Sequence, residues 1–217
     1  MKSYSKAFKI PLIELSCMNT SENLPIWTID NSEYIINDRF LKLRRDSCTT
    51  PDGGKVDTYY VLELKDWVNC IAIDENDNVM MLRHYRHGVQ KYIMEFIGGG
   101  MEEGESPEEA ARREVEEETG YTGGSIFHVG TSYPNPANHT NQVHTFLAVG
   151  GKISQDQNLE VGETIHVEKI PLKTVMEEMS KPDSVYPAIY IAALFHVVNF
   201  IRASNDPALE RLKKYVS

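Results

Sequence analysis

The stretch of sequence that decides the fold is GGMEEGESPEEAARREVEEETGY, residues 99–121. It contains the start and stop signals of one helix, with Ser106 as the N-cap, Pro107 at the first helical position and Gly120 as the stop. Glu109, three residues after the cap, completes a capping box. These signals predict a helix whose two ends are fixed by its own sequence.

This helix carries an unusual concentration of negative charge. Residues 99–121 hold nine glutamates and two arginines, in a chain of 217 residues with a formal net charge of -10. Glu114, Glu117 and Glu118 are spaced i, i+3 and i+4, which predicts one face with side chains about 6 Å apart. Like charges repel there, near the negative end of the helix dipole. Either the face is simply solvated, or a hard divalent cation such as Mg²⁺ or Mn²⁺ compensates it.

The spacing of the fixed residues favours the second interpretation. Gly99 is followed after five residues by Glu105 and, after seven more, by REVEEETGY. This pattern resembles the Nudix box, Gly-x5-Glu-x7-Arg-Glu-U-x-Glu-Glu-x-Gly-U, where U is usually aliphatic. Tyr121 is the one departure from it. The resemblance implies an α/β fold of the Nudix type, an α/β/α sandwich with a mixed sheet.

The same resemblance implies a chemistry, the hydrolysis of a nucleoside diphosphate linked to another group. It implies Mg²⁺ as the cofactor, or Mn²⁺ in its place, held by the following ligands: Glu114, Glu117, Glu118 and the backbone carbonyl of Gly98. Such an ion polarises the diphosphate and offsets charge on the leaving phosphate. Glu117 is also implied as a catalytic residue, with Arg113 orienting a carboxylate and Glu105 supporting the site.

Outside the box, the resemblance is closest to the ADP-ribose or nucleotide-sugar pyrophosphatase branch, over roughly residues 30–200. Residues 82–87, LRHYRH, run into EFIGG at 95–99. They are similar to that branch's Gln-Tyr-Arg-His and Glu-x-Pro-x-Gly segments, with Ile97 in place of the usual proline. A marker proline of the branch corresponds to Pro136.

Three residues are therefore candidates for binding the substrate: Arg86, Glu95 and Pro136. A guanidinium binds phosphate oxygens bidentately, which makes Arg86 a candidate contact for a diphosphate or ribose. A surface salt bridge is the alternative role for this arginine.

A further segment, LEVGETI at residues 159–165, resembles the mobile acidic loop that supplies a catalytic glutamate in this branch. Glu163, and after it Glu160, is the candidate base that takes a proton from the attacking water. The alternative is that both are ordinary acids of a surface loop.

The chain is predicted to have three parts, namely an arm at 1–27, a β-strand region at 28–64 and a Nudix hydrolase domain at 65–217. The strand region is predicted as a hairpin around the turn at 51–54. Because the N-terminal strands of relatives contribute to a homodimer, this region is a candidate dimer interface. Later helices are predicted at 172–179 and 188–201.

Composition excludes several classes of function. The acidic balance, without a run of five Lys or Arg, argues against binding nucleic acid by bulk charge. The most apolar stretch, 188–201, falls short of the ~20 residues that a bilayer crossing needs, so no membrane span is predicted. Three widely spaced cysteines suggest neither a disulfide framework nor a zinc site, and a cytoplasmic location fits best.

The expected function is Mg²⁺-dependent hydrolysis of the pyrophosphate bond of ADP-ribose or a related nucleoside diphosphate sugar, giving a nucleoside monophosphate and a sugar phosphate. Other nucleoside diphosphate derivatives, such as a dinucleotide, NADH or an RNA cap, stay open. The alternative from a different class is a Nudix-fold sensor that binds such a nucleotide without cleaving it. The complete set of three box carboxylates disfavours the sensor, because their loss would be its simplest origin.

Overall fold

The computed structural model describes residues 24–159 and 162–216. The strands in chain order are β1 (Thr28–Asn37), β2 (Lys42–Thr49), β3 (Lys55–Glu63), β4 (Trp67–Ile73), β5 (Asn78–Arg86), β6 (Lys91–Glu95), β7 (Ile97–Gly100), β8 (Tyr121–Thr122), β9 (Ser125–Ser132), β10 (Val143–Val149), β11 (Lys152–Ile153) and β12 (Ile165–Pro171). The helices are α1 (Pro107–Thr119), α2 (Leu172–Met179), α3 (Ala188–Ala203), a 3-10 helix (Pro207–Leu212) and α4 (Lys213–Val216).

A seven-stranded sheet forms the central layer, in the order β12-β5-β4-β10-β9, with β6 paired to β5 and β7 to β4. The sheet is mixed because β10 runs parallel to β4 while its other pairs are antiparallel. One face packs on α1 through residues such as Val68 and Val115. The other face packs on α2 and α3 through residues such as Ile71 and Val197. The predicted α/β/α sandwich is therefore confirmed.

Helix α1 begins and ends where its sequence signals place the ends. Ser106 and Glu109 form the reciprocal capping box, and the Ser106 N–H donates to Glu109 Oε2 at 2.8 Å. Gly120 ends the helix with φ of 66°, a left-handed conformation that glycine adopts without a steric penalty. Ala110 and Ala111 are buried, and their small side chains let the helix lie close to the sheet. The helix is thus held at both ends and along one face.

The N-terminal region is a separate sheet of three strands, in the order β1-β2-β3. The hairpin predicted around the turn at 51–54 is present as β2 and β3, but its first arm is two strands, because the chain turns a first time after β1. Asp38 Oδ1 accepts hydrogen bonds from the N–H groups of Phe40 and Leu41, both at 2.8 Å. Of the predicted arm, residues 1–23 lie outside the described residues. The sheet joins the central layer at Leu62, whose N–H donates to the Asn138 carbonyl at 2.8 Å.

The two later helices follow the prediction, with α2 matching its predicted bounds and α3 running two residues longer. Across the described part of the chain, no single helix has the length and apolar character of a membrane span. The pair Ala188–Ala203 and Pro207–Val216 meets those criteria only jointly, with a bend of 116° between its members.

Candidate active site

A polar pocket of about 310 Å³ lies where α1 meets β4, β5, β7 and the loop before β12. Its acidic lining consists of five carboxylates: Glu102, Glu114, Glu117, Glu118 and Glu163. Its basic lining consists of four side chains: Lys65, His84, Arg86 and Arg113. Trp67 and the glycines at 98–100 complete the wall. We refer to this space as the carboxylate pocket.

The structure brings together the three glutamates that helical spacing placed on one face. Glu114 and Glu118 are buried, with 9% and 4% of their surface exposed, and the Glu117 side chain is partly exposed. The Gly98 N–H donates a hydrogen bond to Glu118 Oε2 at 3.0 Å, which fixes this carboxylate against β7. Gly98, whose carbonyl was predicted as a metal ligand, also lines the pocket, and its hydrogen bond to Glu118 is made through its N–H.

Burial makes these carboxylates costly to ionise without a cation. It raises the pKa of Glu118 to about 9, against a stabilising hydrogen bond from the Gly98 N–H, and the charge of Glu114 adds to the rise. Burial also raises the pKa of Glu114, although Arg113 opposes the shift. Buried acids that repel one another are poised to bind a positively charged group.

Arg113 supplies a positive charge to these acids in the part of the pocket nearest Glu105. Its Nε donates to Glu105 Oε1 at 2.8 Å, and its Nη1 donates to Glu114 Oε1 at 2.8 Å and to Glu117 Oε2 at 3.1 Å. The hydrogen bond with Glu105 is the main cause of the raised pKa of Arg113 and of the lowered pKa of Glu105. Arg113 thus holds two of the predicted ligands, and Glu105 holds Arg113.

Gly99, the first glycine of the box, lies directly against the Glu114 side chain. A Cβ built on Gly99 would lie 2.0 Å from Glu114 Oε1 and 2.3 Å from its carboxyl carbon. No side chain fits there while the carboxylate keeps its position. Glycine is therefore required at position 99 to leave space for the Glu114 carboxylate. The box pattern predicted a glycine here, and the structure gives the physical reason.

Arg86 reaches the pocket from β5 and is held by Glu95. Its Nε and Nη2 donate to the two oxygens of Glu95 at 2.9 and 2.6 Å. Glu95 is 3% exposed and lies behind Arg86 rather than in the lining of the pocket. The buried Tyr190 of α3 donates from its hydroxyl to Glu95 Oε2 at 3.4 Å. Glu95 was predicted to contact the substrate, but the structure places it as the support of Arg86.

The remaining predicted residues divide into three cases. Glu163 lines the carboxylate pocket, within electrostatic range of Glu114 and Glu118. Glu160 lies outside the described residues. Pro136 is exposed in the loop between β9 and β10 and does not line the pocket, so the structure does not bring it to the glutamates.

Comparison with known proteins identifies the family. The family model described as the NUDIX domain matches residues 64–188, more than half of the chain. The chain belongs to the Nudix family. A second model, the nucleoside diphosphate sugar hydrolase N-terminal domain, matches residues 27–62, which cover β1 to β3. The Nudix match includes α1 and all the lining residues of the carboxylate pocket.

The chain is also similar to individual proteins of known name and to a solved structure. The chain is 27% identical to an ADP-ribose pyrophosphatase of Bacillus subtilis over 146 residues, 67% of this chain and 78% of the relative. It is 30% identical to a methanol dehydrogenase activator of Bacillus methanolicus over 127 residues, 58% of this chain and 67% of the relative. A crystal structure described as an ADP compounds hydrolase superposes with a TM-score of 0.72 at 22% identity, covering 85% of this chain and 99% of that one, which shows the same fold. We conclude that the protein is a Nudix hydrolase.

The carboxylate pocket suits the divalent ion that Nudix hydrolases generally use. Arg113 and the Gly98 N–H engage one oxygen each of Glu114, Glu117 and Glu118. In residues 24–159 and 162–216, no three acidic, histidine or cysteine side chains already converge as a metal site. The donors therefore fit a hard cation by type, and their side chains would have to turn towards it to bind it.

Five residues of the pocket were not predicted from the sequence as part of a Nudix site: Lys65, Trp67, His84, Gly100 and Glu102. Strand alternation was the available signal for His84, because it lies two residues before Arg86 on β5 and so shares its face. Trp67 is half-buried, with its Nε1 donating to Asn69 Oδ1 at 3.1 Å. Lys65 lies between β3 and β4, where the sequence carried no signal.

Proposed function

We propose that this Nudix hydrolase cleaves the pyrophosphate bond of ADP-ribose or a related nucleoside diphosphate sugar in the presence of Mg²⁺, releasing a nucleoside monophosphate and a sugar phosphate. The observation that carries the proposal is one pocket lined by both the three box carboxylates and Arg86. Carboxylates that bind a cation and a guanidinium that binds phosphate are the two elements that a diphosphate requires. The ADP-ribose pyrophosphatase among the relatives supports this substrate class.

In this proposal, Glu114, Glu117, Glu118 and the Gly98 carbonyl hold the ion, and Mn²⁺ can replace Mg²⁺. The ion supplies polarisation of the diphosphate and neutralises charge on the leaving phosphate. Arg113 keeps Glu114 and Glu117 aligned through its hydrogen bonds to both. Arg86 binds phosphate oxygens, with its orientation fixed by Glu95.

The size of the cleft supports a substrate larger than inorganic pyrophosphate. A second pocket of about 500 Å³ adjoins the carboxylate pocket, and the two share Lys65, Trp67 and Gly100 as walls. Together they fall in the range of ~300–1,000 Å³ that is usual for sites of small organic ligands. The lysine at the junction can bind a phosphate, and the aromatic face of Trp67 can contact a nucleoside.

The proposal is tested by incubating the purified protein with Mg²⁺ and a panel of nucleoside diphosphate derivatives, then identifying the products. We expect ADP-ribose to give AMP and ribose 5-phosphate, with no turnover after chelation of the metal. Tight binding of ADP-ribose without products would replace the proposal with a nucleotide sensor. Faster turnover of a dinucleotide or a capped RNA would assign a different substrate class.

Glu163 is the proposed base, because it lines the carboxylate pocket and a loop can bring it within hydrogen-bond reach of the water. We expect Glu163→Gln to lower kcat by about 10²- to 10⁴-fold, because the amide cannot take up the proton. Steady-state kinetics and thermal melting measure the effect and confirm that the variant is folded. Glu168→Gln is the matched control, since Glu168 is a partly exposed acid of β12 that pairs with Arg83. If Glu163→Gln turns over normally while Glu160→Gln does not, Glu160 is the base.

We also propose that the three-stranded sheet forms a homodimer interface. All ten residues of β1 are exposed, among them Ile29, Tyr34 and Ile35. Large apolar side chains exposed on the edge strand of a small sheet are typical of a surface that a partner covers. The match of this region to the N-terminal domain of nucleoside diphosphate sugar hydrolases supports a family-specific role.

We expect the protein to have twice its chain mass in light scattering coupled to gel filtration, and the double variant Ile29→Asp/Ile35→Asp to have the mass of one chain. Two buried charges at the centre of an interface leave a large desolvation cost. Val185→Asp, at an 88% exposed position before α3, should remain dimeric. A wild-type protein of single-chain mass would contradict the proposal.

A further inference from the structure

His84 is a polar side chain of the carboxylate pocket for which the proposed mechanism has no use. It is 7% exposed and lies on β5, two residues before Arg86. Because side chains alternate along a strand, the two residues face the same side of the sheet, about 6.7 Å apart along the backbone. Both line the pocket. A ligand phosphate held by Arg86 therefore brings the neighbouring part of the same ligand to His84.

One nitrogen of the His84 ring has no hydrogen-bond partner among the described residues. Nδ1 is buried. Among the described residues, the carboxylate oxygen that lies near it is Glu95 Oε2, at 3.8 Å. This distance is too long for a hydrogen bond, and Glu95 already accepts hydrogen bonds from Arg86 on both oxygens. Buried polar atoms without a partner are rare in folded proteins and indicate an interaction still to be made. A small turn of the ring would let Nδ1 donate to Glu95.

The other edge of the ring, which carries Nε2, meets the pocket, because the ring lines the pocket while Nδ1 is buried. Burial and the charge of Arg86 lower the pKa of His84, against the opposite effects of Glu95 and Glu163, which favours the neutral ring. A neutral imidazole with its proton on Nδ1, beside Glu95, presents a lone pair on Nε2. That lone pair does not bind an anionic phosphate oxygen, but it accepts a hydrogen bond from a hydroxyl group.

We propose that His84 is a specificity-determining residue, whose Nε2 accepts a hydrogen bond from a hydroxyl group of a sugar that adjoins the diphosphate bound by Arg86. The proposal rests on the proposed function for the presence of that diphosphate and sugar. A nucleoside diphosphate sugar carries a sugar on each side of the diphosphate. Either sugar can reach a group two residues along the strand from the phosphate site, and deoxy substrates distinguish the two.

The test compares ADP-ribose with two analogues, one lacking the hydroxyl groups of the adenosine ribose and one lacking the hydroxyl groups of the terminal ribose. We expect His84→Leu to lower kcat/KM for ADP-ribose by about 10- to 100-fold, mainly through KM, because a buried acceptor for a hydroxyl discriminates strongly. On the analogue that lacks the contacted hydroxyl, the same variant should change kcat/KM by less than about twofold. His84→Gln, which keeps an acceptor of similar reach, should recover most of the loss.

His87→Leu is the matched control, since His87 is an exposed histidine of the same strand end and should leave all three substrates unaffected. Thermal melting checks the fold of each variant. Equal losses on all substrates, or no loss with His84→Leu, would overturn the role of His84. Calorimetric binding of ADP-ribose in the presence of a chelator separates this result from the proposed function. If the wild type binds ADP-ribose in this measurement but does not turn it over when Mg²⁺ is supplied, the proposed function fails, and a tenfold weaker binding by His84→Leu still supports the contact.

Discussion

Glu118→Gln is expected to remove turnover, with kcat/KM lowered by about 10³-fold or more, because a neutral amide cannot replace an anionic ligand of a hard cation. The fold should survive, since the amide oxygen can still accept the hydrogen bond that the Gly98 N–H gives to Glu118. Initial rates at saturating Mg²⁺, together with circular dichroism, measure both parts of the result. Unchanged rates would refute the assignment of Glu118 as a metal ligand.

The same substitution should stabilise the metal-free protein at alkaline pH. Burial raises the folded-state pKa of Glu118 to about 9 from an ordinary value of 4.5. Between these values the folded state keeps a proton that the unfolded state releases, so the free energy of unfolding falls as the pH rises. Glutamine has no such proton. In the presence of a chelator, we expect the variant to melt above the wild type at pH 8 and close to it at pH 4.

Glu116→Gln is the control for both measurements. Glu116 lies on the same helix but is exposed, and its carboxylate accepts a hydrogen bond from the Gln155 side chain. It should keep normal turnover and show no gain in melting temperature at pH 8. A gain of the same size in both variants would mean that the effect comes from reducing the net negative charge of α1 rather than from burial of Glu118.

Much of the site could be predicted because its signals are local. The bounds of α1 follow from Ser106 and Gly120, which act within one turn of the helix. The shared face of Glu114 and Glu118 follows from helical periodicity alone. The turn at Asp38 was missed because it contains neither glycine nor proline, and an aspartate side chain bonding to the backbone supplies it instead.

The contacts that could not be predicted are those between distant parts of the chain. Tyr190 supports Glu95 across 95 positions, and no sequence spacing relates the two residues. The position of Glu95 behind Arg86 depends on the antiparallel register that places β6 next to β5. The sequence made both Arg86 and Glu95 candidate substrate contacts, but only Arg86 lines the pocket, while Glu95 is hydrogen-bonded to Arg86 and to Tyr190 of α3.

Gly99→Ala is expected to lower kcat/KM by about 10²-fold, with little change in melting temperature. The added Cβ would lie 2.0 Å from Glu114 Oε1, so the carboxylate must leave its place beside β7. Moving the end of a flexible side chain costs little stability. A displacement of a ligand by about 1 Å, however, is enough to lower catalysis by two orders of magnitude. Kinetics as a function of Mg²⁺ concentration should show half-maximal activity at a higher Mg²⁺ concentration than in the wild type, which would place the defect at the metal.

The control for this change is Gly88→Ala, at a glycine of the turn between β5 and β6 where an added Cβ meets no atom within 4 Å. It should keep both activity and Mg²⁺ dependence. The combination Gly99→Ala/Glu114→Asp gives a sharper comparison, because the shorter side chain withdraws the carboxylate from the new methyl group. If the clash is the cause, the aspartate should harm the Gly99→Ala variant less than it harms the wild type. Equal harm in both backgrounds would mean that Gly99 acts through the backbone of β7 and not through Glu114.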